Sequence, residues 1–289
     1  MPAFSTLMSF PIDVRPDEGL GTACLTLPIG ADWLQGRVAF GGLQGAAMVR
    51  AMRAAVGDEP ALRAVQVTFI GAVDPGEARA EARVVRRGRA ITHAQATLHA
   101  GGRPAALAVG LFGAPRDSVV QVAMPMPALR PPGELKEVPF LPERMPGFLQ
   151  HYRQRWATGS PPYSGAPPKP TGMWARLAEV TEADATGPGH RPLPPALDVP
   201  AAREANAVAL ADLPPSPALS VLTQRTPGAS LTWLLEYIAD PRRFDPRDWS
   251  MLYTETRHAA AGYTSQTARI WSEAGVPLAV SHQTTAIFD

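Results

Sequence analysis

Two stretches of this chain read as the same structural unit. Residues 91–113 are ITHAQATLHAGGRPAALAVGLFG and residues 264–286 are TSQTARIWSEAGVPLAVSHQTTA. Each is an alternating run, a Gly-x-Pro turn and a second alternating run. Gly102 to Gly275 and Pro104 to Pro277 are both steps of 173 residues. Such an offset points to a duplicated domain rather than a solenoid, whose units are roughly 20–50 residues. The copies differ where chemistry could sit: the second offers His282 and Gln283 where the first offers Val109 and Gly110.

A length of 289 residues fits two units of about 150 residues. A net charge of +1 gives no bulk drive toward nucleic acid or an anionic membrane. The single cysteine, Cys24, excludes an internal disulfide and a Cys-rich metal site, and with no His or Lys near it in sequence it reads as an inert apolar residue. The first residues, MPAFSTLMSFPIDVRPDE, lack a basic segment followed by an apolar one, and no apolar run approaches the roughly 20 residues needed to cross a bilayer. A cytoplasmic protein is the expectation.

Periodicity fills in each copy. Leu20–Leu27 reads as a strand. Gly41-Gly42 opens a helix whose apolar residues Ala47, Met48, Met52 and Val56 fall at helical spacing, with Gly57 as its stop. Alternating runs at 62–73, 77–87, 90–100 and 104–113 follow, separated by hairpin-type breaks. Residues 116–200 are Pro-rich and read as a largely irregular connection, with a helix-like stretch at 143–157 and a strand near Met173–Val180; Trp156, Tyr163 and Trp174 argue that it is ordered. Pro200 starts a second helix over AAREANAVALADL, which Pro214 and Pro215 end. Runs at 229–239, 250–258, 262–273 and 277–288 complete the pattern. Helix plus antiparallel sheet, twice, is an α+β architecture. The expected boundaries are 1–115 for the first domain, 116–170 for the connection and 171–289 for the second domain, which carries the site.

The order of short motifs sharpens this. The segment Gly36-Arg37-Val38-Ala39-Phe40-Gly41-Gly42-Leu43-Gln44-Gly45 resembles the entry to the first helix in TesB-like acyl-CoA thioesterases, which have the double hot-dog fold. Arg86-Arg87-Gly88-Arg89-Ala90, Ala211-Asp212-Leu213, Thr226-Pro227-Gly228-Ala229-Ser230-Leu231 and Val280-Ser281-His282-Gln283 resemble further motifs of that family, in the family's order. The resemblance implies one continuous sheet around two central helices, an acyl-CoA substrate and no cofactor or metal. Carried over residue by residue, it implies a hydrolytic water held by Asp212, Ser230 and Gln283. Gly41, Gly42, Thr232 and Arg89 are candidate substrate contacts; the clustered Arg83, Arg86, Arg87 and Arg89 could meet the phosphates of coenzyme A, although such a cluster is more often a solvated face. Association into a homo-oligomer is a family expectation. The chain departs from the pattern at Thr232, where the family has Asp, and in the Pro pair after Asp212.

The chemistry of these residue types suits the reaction. Partial burial of a carboxylate at the end of an apolar helix raises its pKa toward neutrality, so Asp212 could act as a general base. Ser230 can donate and accept, and the Gln283 amide could hold the water or donate to an oxyanion. Without the resemblance, Asp212 reads as a turn residue and Ser230 as a small polar strand position. On the last strand Gln283 shares a face with Ser281 and Thr285, and His282 takes the other. His93, His99 and His258 lack metal-like spacing or a carboxylate partner, and no nucleophile elbow, P-loop or dinucleotide fingerprint occurs. Three functions stay open: a thioesterase, an acyl-CoA-binding protein without catalysis, and an enoyl-CoA hydratase or dehydratase. The last lacks its Asp-x-Asn-Pro-x-His string here.

Overall fold

The structure is a computed structural model that describes residues 2–17, 20–180 and 193–288. After a short helix, α1 (Phe4–Met8), the first half runs β1 (Ile12–Asp17), β2 (Leu20–Ile29), a small pair β3 (Leu34–Gln35) and β4 (Val38–Ala39), then helix α2 (Gly41–Val56). Four long strands follow: β5 (Ala61–Phe69), β6 (Gly76–Arg87), β7 (Ile91–Ala100) and β8 (Arg103–Gly113). The second half runs β9 (Tyr152–Thr158), β10 (Thr171–Leu177), helix α3 (Pro200–Ala211), β11 (Gly228–Tyr237), β12 (Ser250–Ala260), β13 (Tyr263–Ser272) and β14 (Pro277–Ile287).

Twelve strands form one antiparallel sheet in the order β1-β2-β6-β7-β8-β5-β11-β14-β13-β12-β10-β9. The order is a palindrome about the β5–β11 junction, so the halves are related by a local two-fold axis. Register confirms it. Gly110 pairs with Val65 and Ala94, while Gln283 pairs with Trp233 and Gln266, so Val65 and Trp233 are equivalent. Across the junction Trp233 meets Val67 and Leu235 meets Val65, as a two-fold requires. The two Gly-x-Pro turns are equivalent as well, and Gly102 (φ +74°) and Gly275 (φ +79°) both take left-handed backbone that a side chain would strain.

The inner face of the sheet holds the helices. Every residue of α2 except Arg50 and Ala54 is buried, the mark of a central helix. A Cβ on Gly42 would lie 2.6 Å from the Ala209 carbonyl, and one on Gly45 would lie 2.7 Å from the Trp233 ring. Glycine at these positions lets α2 approach both α3 and the sheet. The main hydrophobic core runs from Phe4 to Ala279 through both halves, and a second, smaller one gathers Leu135, Trp174, Trp249, Met251 and Trp271.

The connection differs from the sequence expectation. The stretch 143–157 is not a helix but a short 3-10 turn (Gly147–His151) leading into β9, which pairs with β10 at the sheet edge. Alternation wins there because Tyr152 and Gln154 turn inward between less buried neighbours. The 116–170 segment therefore contributes an edge strand to the second half. Upstream, it covers that half's outer face, where Trp174, Met251 and Trp271 form a cross-strand row. The Trp271 indole donates to the Met124 carbonyl (2.8 Å) and the Trp174 indole to the Arg130 carbonyl (2.9 Å). Proline suits such chain, since it packs while offering no N–H to satisfy. Among the described residues no helix is long and apolar enough to cross a membrane.

Candidate active site

Asp212 closes α3. Its N–H still reaches the Ala209 carbonyl (3.3 Å), its backbone has left the helical region, and two prolines follow shortly after. The carboxylate therefore stands at the C-terminal end of one helix. It also meets the N-terminal end of the other: the Gly42 N–H donates to it, and a Cβ on Gly41 would fall 2.8 Å from its Oδ2. The first N–H groups of a helix have no partner within the helix and carry its positive end, so α2 offers this carboxylate a donor and a favourable field.

From the sheet comes Gln283. Its Nε2 donates to Asp212 Oδ1, joining residues 71 apart in sequence. Its Oε1 accepts from Gln266 Nε2 at 2.9 Å. Gln266 lies directly opposite on β13, and both amides are buried. Behind them the Trp233 indole donates to Ser281 Oγ (2.8 Å), which fixes that ring against α2. The face assignment along β14 holds: Ser281 and Gln283 point inward, while His282 is exposed beside Glu236.

Burial pushes the Asp212 carboxyl up to about 7; the hydrogen bonds from Gln283 and Gly42 pull the other way and are outweighed. Desolvation wins because two donors replace only part of the water a carboxylate loses. The group is thus poised to gain or release a proton near neutrality.

A third wall comes from the connection. Phe148 stacks on Phe40, the residue just before α2, with centroids 3.9 Å apart, and Tyr152 meets Phe40 edge-on. The Tyr152 hydroxyl is buried without a hydrogen-bond partner among the described residues. Its phenol is held well above its usual range by burial and, next, by the charge of Asp212. His151 anchors this strap to the first half by stacking on Trp33 and hydrogen-bonding the buried Asp32 (3.0 Å). Burial lowers the His151 pKa, outweighing the attraction of Asp32, which raises it.

Of the residues expected from sequence, Asp212, Gln283, Gly41 and Gly42 meet at one point. Ser230 lies on their side of the sheet for a reason that alternation hides. A bulge at Leu231 shifts the register, so Ser230 pairs with Thr285, on the Gln283 face, rather than pointing outward with Thr232. No hydrogen bond joins Ser230 to Asp212 or Gln283; its nearest polar row is Thr285, itself bonded to Thr264 (2.7 Å). Thr232 is exposed on the outer face between Thr284 and Thr68. Arg89 is exposed in the β6–β7 turn, and Arg87 there caps the last carbonyls of α2. That places Arg89 at the far end of a 16-residue helix, about 24 Å along it from Gly41. Neither Thr232 nor Arg89 belongs with the carboxylate. Gln266 and Tyr152 escaped the sequence reading. Gln266 lies 17 residues before Gln283, and only the β13–β14 register sets the two amides side by side. Tyr152 gave no signal, being hidden in a stretch that reads as helix.

Among the described residues no cluster of His, Cys, Asp or Glu could hold a metal ion. The family description "acyl-CoA thioesterase C-terminal domain" matches residues 132–287, and "acyl-CoA thioesterase N-terminal domain" matches residues 29–113. Among curated proteins none matches the chain. Solved structures similar over the whole chain include a conserved protein of unknown function with a hot dog fold from Alicyclobacillus acidocaldarius (20% identity, TM-score 0.78, covering 100% of this chain and 99% of that one). A tesB protein from Mycobacterium avium subspecies paratuberculosis is similar at 14% identity and TM-score 0.72, with 99% and 98% of the two chains covered. An acyl-CoA thioesterase II from Mycobacterium marinum is similar at 14% identity and TM-score 0.67, with the same coverage. These likenesses establish the double hot-dog fold.

Proposed function

The chain belongs to the acyl-CoA thioesterase family and is a thioester hydrolase, and from that premise we propose that it cleaves acyl-CoA with water activated by Asp212. Asp212 takes a proton from water as the water oxygen bonds to the thioester carbonyl carbon. The tetrahedral intermediate collapses, the C–S bond breaks, and the Asp212 proton passes to the departing thiolate of coenzyme A. The acid and the thiol are the products, and the carboxylate is regenerated. No covalent enzyme intermediate is needed. Gln283 holds Asp212 and one side of the water. Ser230, brought to that face by the bulge, orients the water as donor and acceptor. The N-terminal end of α2 faces the charge that develops on the carbonyl oxygen.

One observation carries this reading: a carboxyl poised near pH 7 at the meeting point of two helix ends and an inward glutamine. Asp212→Asn tests it. The variant keeps the fold and loses about a hundredfold to ten-thousandfold in kcat, the usual contribution of a general base. The measurement is thiol release from acyl-CoAs of graded chain length, with thermal unfolding as the control. Parent-like turnover by Asp212→Asn sinks the mechanism. Tight acyl-CoA binding by the parent with no thiol release at any chain length would instead mark a binding protein.

A further inference from the structure

Gln283 can serve Asp212 only one way round. A carboxamide is nearly symmetric in shape, so turning it by 180° meets no steric barrier; only its partners tell its two ends apart. In the observed orientation Nε2 donates to Asp212 and Oε1 accepts from Gln266. The reverse would set a carbonyl oxygen against an ionised carboxylate. It would also set the Gln283 amide nitrogen against that of Gln266. Asp212 alone does not enforce the choice throughout a catalytic cycle: once protonated, its carboxyl can donate, and a carbonyl oxygen then becomes an acceptable neighbour.

We propose that Gln266 is a positioning residue whose Nε2, by donating to Gln283 Oε1, keeps the donor end of Gln283 on Asp212 in both protonation states. The inference rests on Asp212 being the base. Both glutamines are more than nine-tenths buried, so water does not substitute for either partner. Gln266 Oε1 is itself buried without a hydrogen-bond partner among the described residues. An unsatisfied acceptor in the interior is a cost, and the geometry it supports is the donation to Gln283. The first half supplies an internal control. Its positions equivalent to Gln266 and Gln283 are Ala94 and Gly110, and its α2 is closed by Gly57, with Asp58 and Glu59 exposed beyond it. The two amides occur together where a buried carboxyl closes the helix, and both are absent where glycine closes it.

The groups facing Asp212 are few: the Gly42 N–H from α2, the Gln283 amide from β14 and the Tyr152 phenol from β9, with Glu179 beyond Tyr152. Only the Gln283 amide changes orientation in this scheme. A merely structural role for Gln266 would lower stability without moving the pH dependence. A positioning role moves it, because losing a donor to the ionised carboxylate raises the carboxyl further.

The test is thiol release from an acyl-CoA by the full chain between pH 5 and 9, for parent, Gln266→Met and Gln266→Glu. With Met, kcat falls about tenfold while KM stays within about twofold, and the acid limb of the profile moves up by about half a pH unit or more. With Glu, which fits the same volume and only accepts when ionised, Gln283 turns its nitrogen away from Asp212 and the limb moves further. If Met is not tolerated in the fold, the Glu variant carries the comparison alone. Folded variants whose acid limbs superimpose on the parent's overturn the inference, as does a fall in kcat with an unmoved limb. The outcomes separate from those of the underlying mechanism. Active Asp212→Asn defeats both, whereas inactive Asp212→Asn with parent-like Gln266 profiles defeats this inference alone.

Discussion

The two hot dogs share strand order, register and turn chemistry, yet they have spent the end of the helix differently. In the second, α3 stops at Asp212, and the carboxyl faces Gln283, which Gln266 holds from its other end. In the first, α2 stops at Gly57, and the equivalent sheet positions are Gly110 and Ala94. The space this leaves is filled. Met52 and Phe112 crowd Gly110, with a Cβ there falling 3.0 Å from the Met52 sulfur and 2.9 Å from the Phe112 ring. Arg53 lies over Phe112 and donates to the Gly57 and Pro60 carbonyls, while its fork meets Glu204 of α3 at 2.7 and 2.9 Å. One end of the helix pair thus has a carboxyl with no cation beside it, poised near neutrality, and the other has a carboxylate locked to a guanidinium. A duplicated fold supplies two chemically equivalent places, and what decides their fate is whether the buried charge is paired.

The largest effect expected from breaking that contrast is on the locked end. Arg53 and Glu204 are almost wholly buried, so Glu204→Ala leaves a guanidinium unpaired in the core and costs about 3–5 kcal/mol of stability. The paired replacement Arg53→Met with Glu204→Leu is close to neutral, since it removes both charges. Denaturant unfolding of the three proteins reads this directly. A loss under about 1 kcal/mol for Glu204→Ala would mean that this end does not hold the helices together. A smaller effect follows from giving the first half the second half's amide. Gly110→Gln forces Met52 and Phe112 aside and costs about 1–3 kcal/mol through overpacking, without adding a second set of active sites. Equilibrium titration with a non-hydrolysable acyl-CoA analogue should still count one site per chain.

Next in size is the pH dependence. With Asp212 at about 7, kcat/KM falls about tenfold for each pH unit well below 7 and flattens above it. Stability carries the same signature with a definite sign. A carboxyl whose folded pKa lies above its unfolded one binds its proton more tightly when folded. Its contribution to stability therefore declines as pH rises from about 4 to about 7 and is constant beyond. Asp212→Asn removes that decline, so its melting temperature relative to the parent should climb across this window. A flat difference would show that the carboxyl titrates at its ordinary value.

Much of this was legible in the sequence because it rests on local pattern. The eight long alternating runs are strands β5–β8 and β11–β14, with ends moved by a residue or two except at β5, which stops at Phe69, four residues before the expected end, and Pro200 and the later prolines bracket α3 as expected. Asp212, Gln283, Gly41 and Gly42, which the structure brings together, were singled out by motif order. What was missed depends on contacts that periodicity does not encode. β9 was misread because its inward residues are aromatic and polar rather than a clean apolar alternation. Strap residues Phe148 and Tyr152 reach the site only through their stacking on Phe40. Gln266 gains meaning only once β13 is known to lie beside β14 in a particular register. The face of Ser230 depends on one bulge that no local signal announces.

That bulge gives the smallest effect and the sharpest discrimination between neighbours. Ser230 and Thr232 are two residues apart, and in an unbroken strand they would share a face and a fate. The shift at Leu231 separates them: Ser230 opposes Thr285 on the inner side, and Thr232 stays exposed between Thr284 and Thr68. Thr232→Ala should therefore change stability by no more than about 0.5 kcal/mol, as a surface substitution does, and leave turnover unaffected within about twofold. Ser230→Ala, removing one hydroxyl from the inner side, should lower kcat by about tenfold with the acid limb unmoved, since it orients water without bonding the carboxylate. Restoring the family's carboxylate with Thr232→Asp should rescue nothing, because on this register it points away from the reacting carbon. Equal losses for the two alanine variants would place both side chains on one face and remove the bulge from the account of the site.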